Sequence, residues 1–348
     1  MTPVVTAHGG LARYAGELWR ALSKRGDISV SAFALGRGRA PELALPLRRV
    51  PIPLRLLRPA WRYVSMPRAE LFSGDVDLVH SLALRPAPTR KPSVQTIHDV
   101  IPITHPHLYP PGAERIHRKE IAAAARADLV VTTCEATAAE IARIGGIPRE
   151  RIVVAPPGAF ARGAHDGVSP VGGPYVLAVG QVTPRKGLDV LARAVARLGS
   201  RCPQVVVAGP DWWRAEDVRA EIASLDRHRR IRLRGPVDDE TLAGLYRSAS
   251  IVCHPSRAEG FGMPCLEAMA AGVPVVASDL PSIRELTGSA AVLFPVDDAD
   301  ALAEAIDLLI GDDTERRRLA AAGRQRAAEF SWQRMADQVV HGYRQVVA

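Results

Sequence analysis

"IVCHPSRAEGFGMPCLEAMAAGVPVVASD", residues 251–279, reads as strand, loop, helix and strand in turn. "IVCHPS" is apolar and suits a buried strand, and residues 257–262 form a glycine-bearing loop. Pro264 suits the first turn of a helix that Gly272 and Pro274 stop near Ala271. "VPVVASD" then resumes as a strand, and a helix between two strands means that the strands run parallel. Glu259 falls in the loop and Glu267 about one turn into the helix, facing the same cleft. A carboxylate accepts two hydrogen bonds, which matches a vicinal diol such as a ribose or hexose face. Gly260 and Gly262 allow backbone N–H groups to approach a ligand, and a helix N-terminus favours an anion. The stretch therefore suits a ligand that carries both a diol and a phosphate.

The same alternation extends outward. From Tyr175, "YVLAVGQ", "QVVVAGP", "IRLRGPV", "SIVCHPS", "VPVVASD" and "AAVLFPV" are separated by amphipathic or capped segments. Near-continuous apolar strands alternating with helices predict a parallel sheet covered on both faces. The N-terminal half is similar but less regular. Leu11, Tyr14, Ala15, Leu18 and Leu22 keep helical spacing after the Gly9-Gly10 turn, and "VDLVHSL", "SVQTIHD", "ADLVVTT" and "RIVVAPPG" read as strands. "AFARGAHDGVSPVGG" lacks periodicity and is rich in Gly and Pro, which makes it the linker.

The fold class expected is α/β, with two doubly wound, Rossmann-like parallel-sheet domains facing a cleft. The first spans 1–160 and the second 174–330, and a last helix within 331–348, begun by a Ser331 cap, packs back on the first. A length of 348 residues suits two cores rather than one. "MTPVVTAHGG" is short for a first strand and its turn, so that strand is expected to be reduced or to begin ahead of this chain.

Composition narrows the function classes. The net charge is +8, yet of 45 basic residues only four are lysines, leaving 41 arginines spread without a run or interleaved aromatics. That pattern argues against a nucleic-acid partner. The four cysteines, Cys134, Cys202, Cys253 and Cys265, show no CxxC spacing and suit buried thiols. Apolar runs are too short for a membrane-spanning helix, so the expected location is cytoplasmic. A peripheral contact at the inner membrane face is carried by "LRLLRPAWRYVSMP", residues 54–67, which reads equally as a packing segment with outward arginines. "DVD", residues 75–77, reads as a turn before "LVHSL" rather than a metal motif. His98, Asp99, His105 and His107, interrupted by Pro102 and Pro106, read as a loop rather than a metal cluster.

Ligands of doubly wound sheets bind beyond the carboxyl ends of the strands. "VGQVTPRKG", residues 179–187, follows a strand and opens a helix, so its N–H groups with Arg185 and Lys186 suit a phosphate or form a solvated basic turn. Lys186 is the only lysine after residue 119. No GxGxxG dinucleotide fingerprint accompanies it.

These motifs together, namely Glu259 and Glu267 eight positions apart, "GQVTPRKG", "RGPVDDETLAGLY", "HGGLARY" and "TIHDVIPI", resemble those of the family 4 retaining glycosyltransferases of the GT-B fold. Within that family the wording is similar to bacterial mannosyl- and hexosyltransferases that build polysaccharides or glycolipids. The resemblance implies transfer of a hexose from a nucleotide diphosphate sugar to a hydroxyl of a saccharide or lipid-linked acceptor, without a cofactor or metal. It implies that Glu259 bonds donor-sugar hydroxyls, Glu267 the ribose, and Arg185 with Lys186 the diphosphate. Gly180 belongs to the same donor loop, and the backbone of Gly260, Phe261, Gly262 and Met263 would face the sugar. Gly9 and Gly10 would approach the phosphate or acceptor, His98 the sugar, and Gly235 with Val237 the nucleobase. Gln181 stands where the family often carries arginine, a charge that Arg185 would supply. A GT-B epimerase, a phosphorylase or a non-catalytic nucleotide-sugar-binding module are the other readings. The phosphorylase would need a pyridoxal lysine, which the assigned Lys186 does not suit.

Overall fold

A computed structural model describes residues 10–35, 47–50, 61, 66–82, 87–159 and 171–347. The chain divides into two compact units. One comprises 1–103, 114–158 and 331–348; the other comprises 104–113 and 159–330.

In the first unit, β3 (Val79–Ser81), β4 (Ser93–Thr96), β5 (Leu129–Thr132) and β6 (Ile152–Val154) form a parallel sheet in sequential order. β1 (Ala32–Leu35) and β2 (Leu47–Val50) form a separate parallel pair. The expectation of a reduced first strand falls on residues 1–9, outside the described residues, as does Gly9, and most of the 54–67 segment lies outside them too.

The helix Gly10–Ser23 buries Tyr14, Ala15, Leu18 and Leu22, four of the five positions that the spacing selects. Leu11, the fifth, is 46% exposed, and Ala12 is the buried side chain of that first turn. That face meets Met335, Ala336, Val339 and Val340 of the C-terminal helix Trp332–Val347 in one apolar cluster with Leu129 and Val131 of β5. Ser331 Oγ accepts the Arg334 amide at 3.1 Å and so caps this helix, satisfying one of its orphan N–H groups. A helix that begins 178 positions after the end of the last strand of the first sheet, Trp332 against Val154, thus completes that unit's core.

The second unit is a six-stranded parallel sheet in the order β12-β11-β10-β7-β8-β9. The strands are β7 (Tyr175–Val179), β8 (Gln204–Ala208), β9 (Ile231–Gly235), β10 (Ile251–His254), β11 (Val275–Ser278) and β12 (Ala291–Phe294). β7, β8, β10 and β11 are almost wholly buried, as their unbroken apolar sequences require. β9 alternates partly buried Ile231 and Leu233 with exposed Arg232 and Arg234, because it is an edge strand. The helix Leu188–Leu198 buries Val190, Leu191, Ala194 and Leu198 against Val205 and Val207. From β7 the chain proceeds toward β9 and from β10 toward β12. The point between β7 and β10 is therefore the topological switch, beyond whose carboxyl ends a doubly wound sheet binds its ligand.

All four cysteines are buried free thiols. Asp75 pairs with Lys91 at 2.9 Å beside the turn that enters β3. Among the described residues no group of His, Cys, Asp and Glu could hold a metal ion, and no helix is long and apolar enough to cross a membrane.

Candidate active site

Two loops meet at the switch point. The first leaves β7 at Gly180, forms a single tight turn at Pro184–Lys186, and enters the helix at Leu188. The second leaves β10 at His254 and enters the helix Met263–Ala271 through Gly262. They touch closely enough to exclude side chains. Gly187, at φ 62°, has no space for a Cβ, which would lie 1.9 Å from the Pro255 carbonyl oxygen. Gly262, at φ 104°, would drive a Cβ to 2.4 Å from Ile283 Cδ1. Only glycine takes such a backbone without strain and without that collision.

The contact brings three of the expected residues together. Lys186 Nζ donates to Glu259 Oε1 at 2.5 Å, and Arg185 Nη1 donates to the same oxygen at 3.1 Å and to the Ala258 carbonyl at 2.9 Å. Side-chain exposures of 10–13% place the cluster largely out of water. His254 Nε2 also lies 3.2 Å from Glu259 Oε1, while Ser282 Oγ donates to the Glu259 carbonyl at 2.9 Å. Ser256 Oγ reaches His254 Nε2 at 3.3 Å. His254 was not among the expected site residues. Its signal in the sequence is a polar residue closing an apolar strand, where the loop to the next helix begins.

Burial pushes the Glu259 carboxyl up, but the Lys186, Arg185 and His254 charges overcome it and hold the group well below the usual carboxylate range. Burial also pulls Lys186 below an ordinary lysine, against the opposing pull of Glu259. Glu259 is therefore an ionised acceptor surrounded by donors. Arg185 and Lys186 thus stand at the end of β7 with Glu259 as their shared carboxylate partner.

The remaining expected residues are distributed as follows. Glu267 sits in the second turn of the helix Met263–Ala271, 8% exposed, and Met263 begins that helix. Gly260 lies in the loop, and Phe261 turns its buried ring against Phe330, with centroids 6.0 Å apart, leaving its backbone toward the loop. Gly235 ends β9 at φ 72°, and Val237 follows it, both partly buried.

His98 and Gly10 belong to the first unit. His98 follows β4, and its ring meets Tyr14 edge-on at 4.6 Å, one turn along the helix that Gly10 begins. Burial pushes His98 down to about 4, against a hydrogen bond that the ring donates to the Leu82 backbone carbonyl, so it is neutral at pH 7. His105 and His107 flank Pro106 in a short turn, with rings 6.2 Å apart.

Solved structures share this architecture. A sucrose-phosphate synthase of Thermosynechococcus elongatus matches 99% of this chain and 97% of its own at a TM-score of 0.77 and 23% identity. An Anabaena protein crystallised with UDP and glucose matches 97% and 96% at 0.77 and 20%. The fold is therefore GT-B, two parallel-sheet α/β units with the candidate site at the switch point of the second.

The sequence carries the match further. A glycosyltransferase family 4 model covers residues 8–159, and a glycosyl transferases group 1 model covers residues 165–326. The chain is 31% identical over 267 residues to the O-antigen chain mannosyltransferase B of Escherichia coli, spanning 72% of this chain and 70% of that one. It is 32% identical to a D-inositol 3-phosphate glycosyltransferase of Nocardia farcinica, spanning 73% of this chain and 61% of the relative. A mannosyltransferase of Mycolicibacterium hassiacum, the MMP alpha-(1->4)-mannosyltransferase, is 29% identical across 98% of this chain and 95% of its own. This chain belongs to the family 4 glycosyltransferases and is a glycosyltransferase.

Proposed function

We propose that the enzyme transfers a hexose, mannose-like by preference, from a nucleotide diphosphate sugar to a hydroxyl of a saccharide or glycolipid acceptor with retention of configuration. The observation that carries the proposal is the convergence of Lys186 and Arg185 on Glu259 at the carboxyl ends of β7 and β10. A sugar diphosphate already has a good leaving group. The enzyme has to stabilise the departing charge and hold the acceptor hydroxyl on the correct face.

In this reading Arg185 and Lys186 meet the diphosphate, and their positive charge offsets the charge that grows as the glycosidic bond breaks. Glu259, ionised, accepts hydrogen bonds from sugar hydroxyls and so fixes the reacting carbon. His254 holds the Glu259 carboxylate from the strand side. Glu267 accepts from the ribose diol, and Gly235 with Val237 border the base. The acceptor proton passes to an oxygen of the leaving phosphate, so no separate general base is assigned. His98 and the Gly9-Gly10 turn serve the sugar and the acceptor from the first unit.

Mannose and a lipid-linked acceptor are supported by the names of relatives. A phosphatidyl-myo-inositol mannosyltransferase of Mycolicibacterium smegmatis is 37% identical over 166 residues, 47% of this chain and 42% of that one. Such an acceptor would bring the protein to a membrane surface.

The test is release of nucleoside diphosphate from UDP-, GDP- and ADP-hexoses in the presence of saccharide and glycolipid acceptors, with the product anomer read by NMR. Release that depends on an acceptor, with the donor's configuration kept, is the expected result. An inverted product, or no release with any donor, would contradict it.

A further inference from the structure

Arg257 has no part in the roles above, yet its side chain is tied to three partners beside the site. Its guanidinium makes a two-pronged contact with Asp189, Nη1 to Oδ1 at 2.8 Å and Nη2 to Oδ2 at 2.5 Å. Nη1 also donates to the Pro184 carbonyl at 2.6 Å, and Nε lies 2.6 Å from Asp297 Oδ1. The backbone of Arg257 adds a fourth tie, its N–H donating to the Arg185 carbonyl at 2.8 Å. Asp189 is buried in the first turn of the helix that follows Lys186, and Arg193 Nη2 shares its Oδ2 at 2.9 Å. Asp297 holds φ at 66°, a conformation uncommon outside glycine, while its carboxylate faces Arg257.

The arrangement is reciprocal. Arg185, from the β7 loop, donates to the Ala258 carbonyl of the β10 loop, and Arg257, from the β10 loop, donates to the Pro184 carbonyl of the β7 loop. The two arginines differ in where their charge goes. Arg257 is matched by two carboxylates, Asp189 and Asp297, whereas Arg185 shares Glu259 with Lys186. A planar guanidinium gripping a carboxylate with two parallel bonds fixes orientation as well as distance, which an ammonium does not.

We propose that Arg257, held by Asp189 and Asp297, is a positioning residue that locks the 184–186 turn to the 257–259 loop and thereby sets the spacing between the diphosphate-binding cations and Glu259. This role rests on the donor-site reading given above. It makes Asp189 a partner in donor binding although Asp189 is itself an anion near an anion's site. Removing Asp189 would unlock the turn and weaken diphosphate binding, whereas simple electrostatics would have its removal strengthen it.

The test compares the wild-type chain with Arg257→Gln, Arg257→Lys and Asp189→Asn by calorimetry, using UDP, GDP and ADP and their monophosphates as probes. The expected result is that Arg257→Gln and Asp189→Asn each lower the preference for diphosphate over monophosphate by about tenfold or more, a displaced contact being that costly. Combining them should cost less than the sum of the two separate losses, since they share the Arg257–Asp189 contact. Arg257→Lys keeps the charge without the two-pronged grip and should fall between Gln and wild type. A preference unchanged in both Arg257 variants, or tighter diphosphate binding in Asp189→Asn, would overturn the role. Should Arg257→Gln fail to fold, Arg257→Lys and Asp189→Asn carry the same comparison. No diphosphate binding by the wild-type chain would instead overturn the donor-site reading, and this role with it.

Discussion

Gly187 and Pro255 are in contact through backbone alone: a Cβ on Gly187 would stand 1.9 Å from the Pro255 carbonyl oxygen. The two loops that carry Lys186 and Glu259 therefore pack main chain against main chain beside the ion pairs. Gly187→Ala must both strain a left-handed residue, at about 1–2 kcal/mol, and push the β10 loop away. Expected are a lower melting temperature and nucleoside diphosphate binding weakened by about tenfold or more, measured by thermal denaturation and calorimetry. Wild-type affinity in this variant would mean that the loop contact does not govern the site.

The three charged site residues should separate kinetically. Glu267→Ala should raise the donor KM with a modest change in kcat. Glu259→Gln, which keeps shape and removes charge, should lower kcat by roughly a hundredfold. Lys186→Ala should affect both, since its partner gains charge in the transition state. Steady-state rates with saturating acceptor distinguish the patterns, and unchanged kinetics in all three would remove the assignment.

Acid stability should be limited by histidines of the first unit. His80, between Tyr343 Oη at 2.6 Å and Thr96 Oγ1 at 2.8 Å, is pushed down to about 3 by burial, and His98 to about 4. Both folded values lie below the unfolded value near 6.5. Their contribution is therefore complete above about pH 6.5 and is lost as pH falls toward 4 and then 3, by up to ~1.4 kcal/mol per pH unit for each group. Chemical denaturation between pH 7 and 4 should show this slope, and His80→Gln should make it shallower. An identical slope in that variant would exclude His80 as a source. Glu259, held well below the ordinary carboxylate range, should not titrate in the same window.

Met335 is fully buried in the cluster shared by the C-terminal helix and the helix Gly10–Ser23. Met335→Ala should cost about 2–5 kcal/mol of first-unit stability while leaving the donor loops intact. Hydrogen exchange should then rise in Gly10–Ser23 and β5 and not around Glu259. A rise confined to the second unit would contradict the placement of this helix.

The second unit was legible because its strands are buried on both faces. "YVLAV", "QVVVA" and "IVCH" carry the pattern without help from neighbours, and Gly272 and Pro274 mark where the intervening helix must stop. Glu259, Lys186 and Arg185 were legible as residue types in strand-to-helix loops. Their convergence on one carboxylate oxygen was not, because it depends on loops 73 residues apart meeting at the switch point. His254 escaped notice as the last residue of an apolar strand, and Arg257 as one arginine among 41. Asp189 is an acid in the first turn of a helix, a common placement. Only the fold reveals that it is buried and gripped by an arginine from another loop. Leu11 fits the helical spacing yet faces outward, since spacing identifies a face but not where that face ends.

The most direct measurement of the central claim is the melting temperature of the wild-type chain and of Lys186→Ala, each with saturating UDP, GDP and ADP and their hexose conjugates. A ligand that binds only the folded state raises the transition in proportion to its affinity. One nucleotide series should stabilise the wild-type protein clearly and Lys186→Ala little or not at all. No stabilisation of the wild-type chain by any series, or equal stabilisation of both proteins, would contradict a donor site built on Lys186, Arg185 and Glu259.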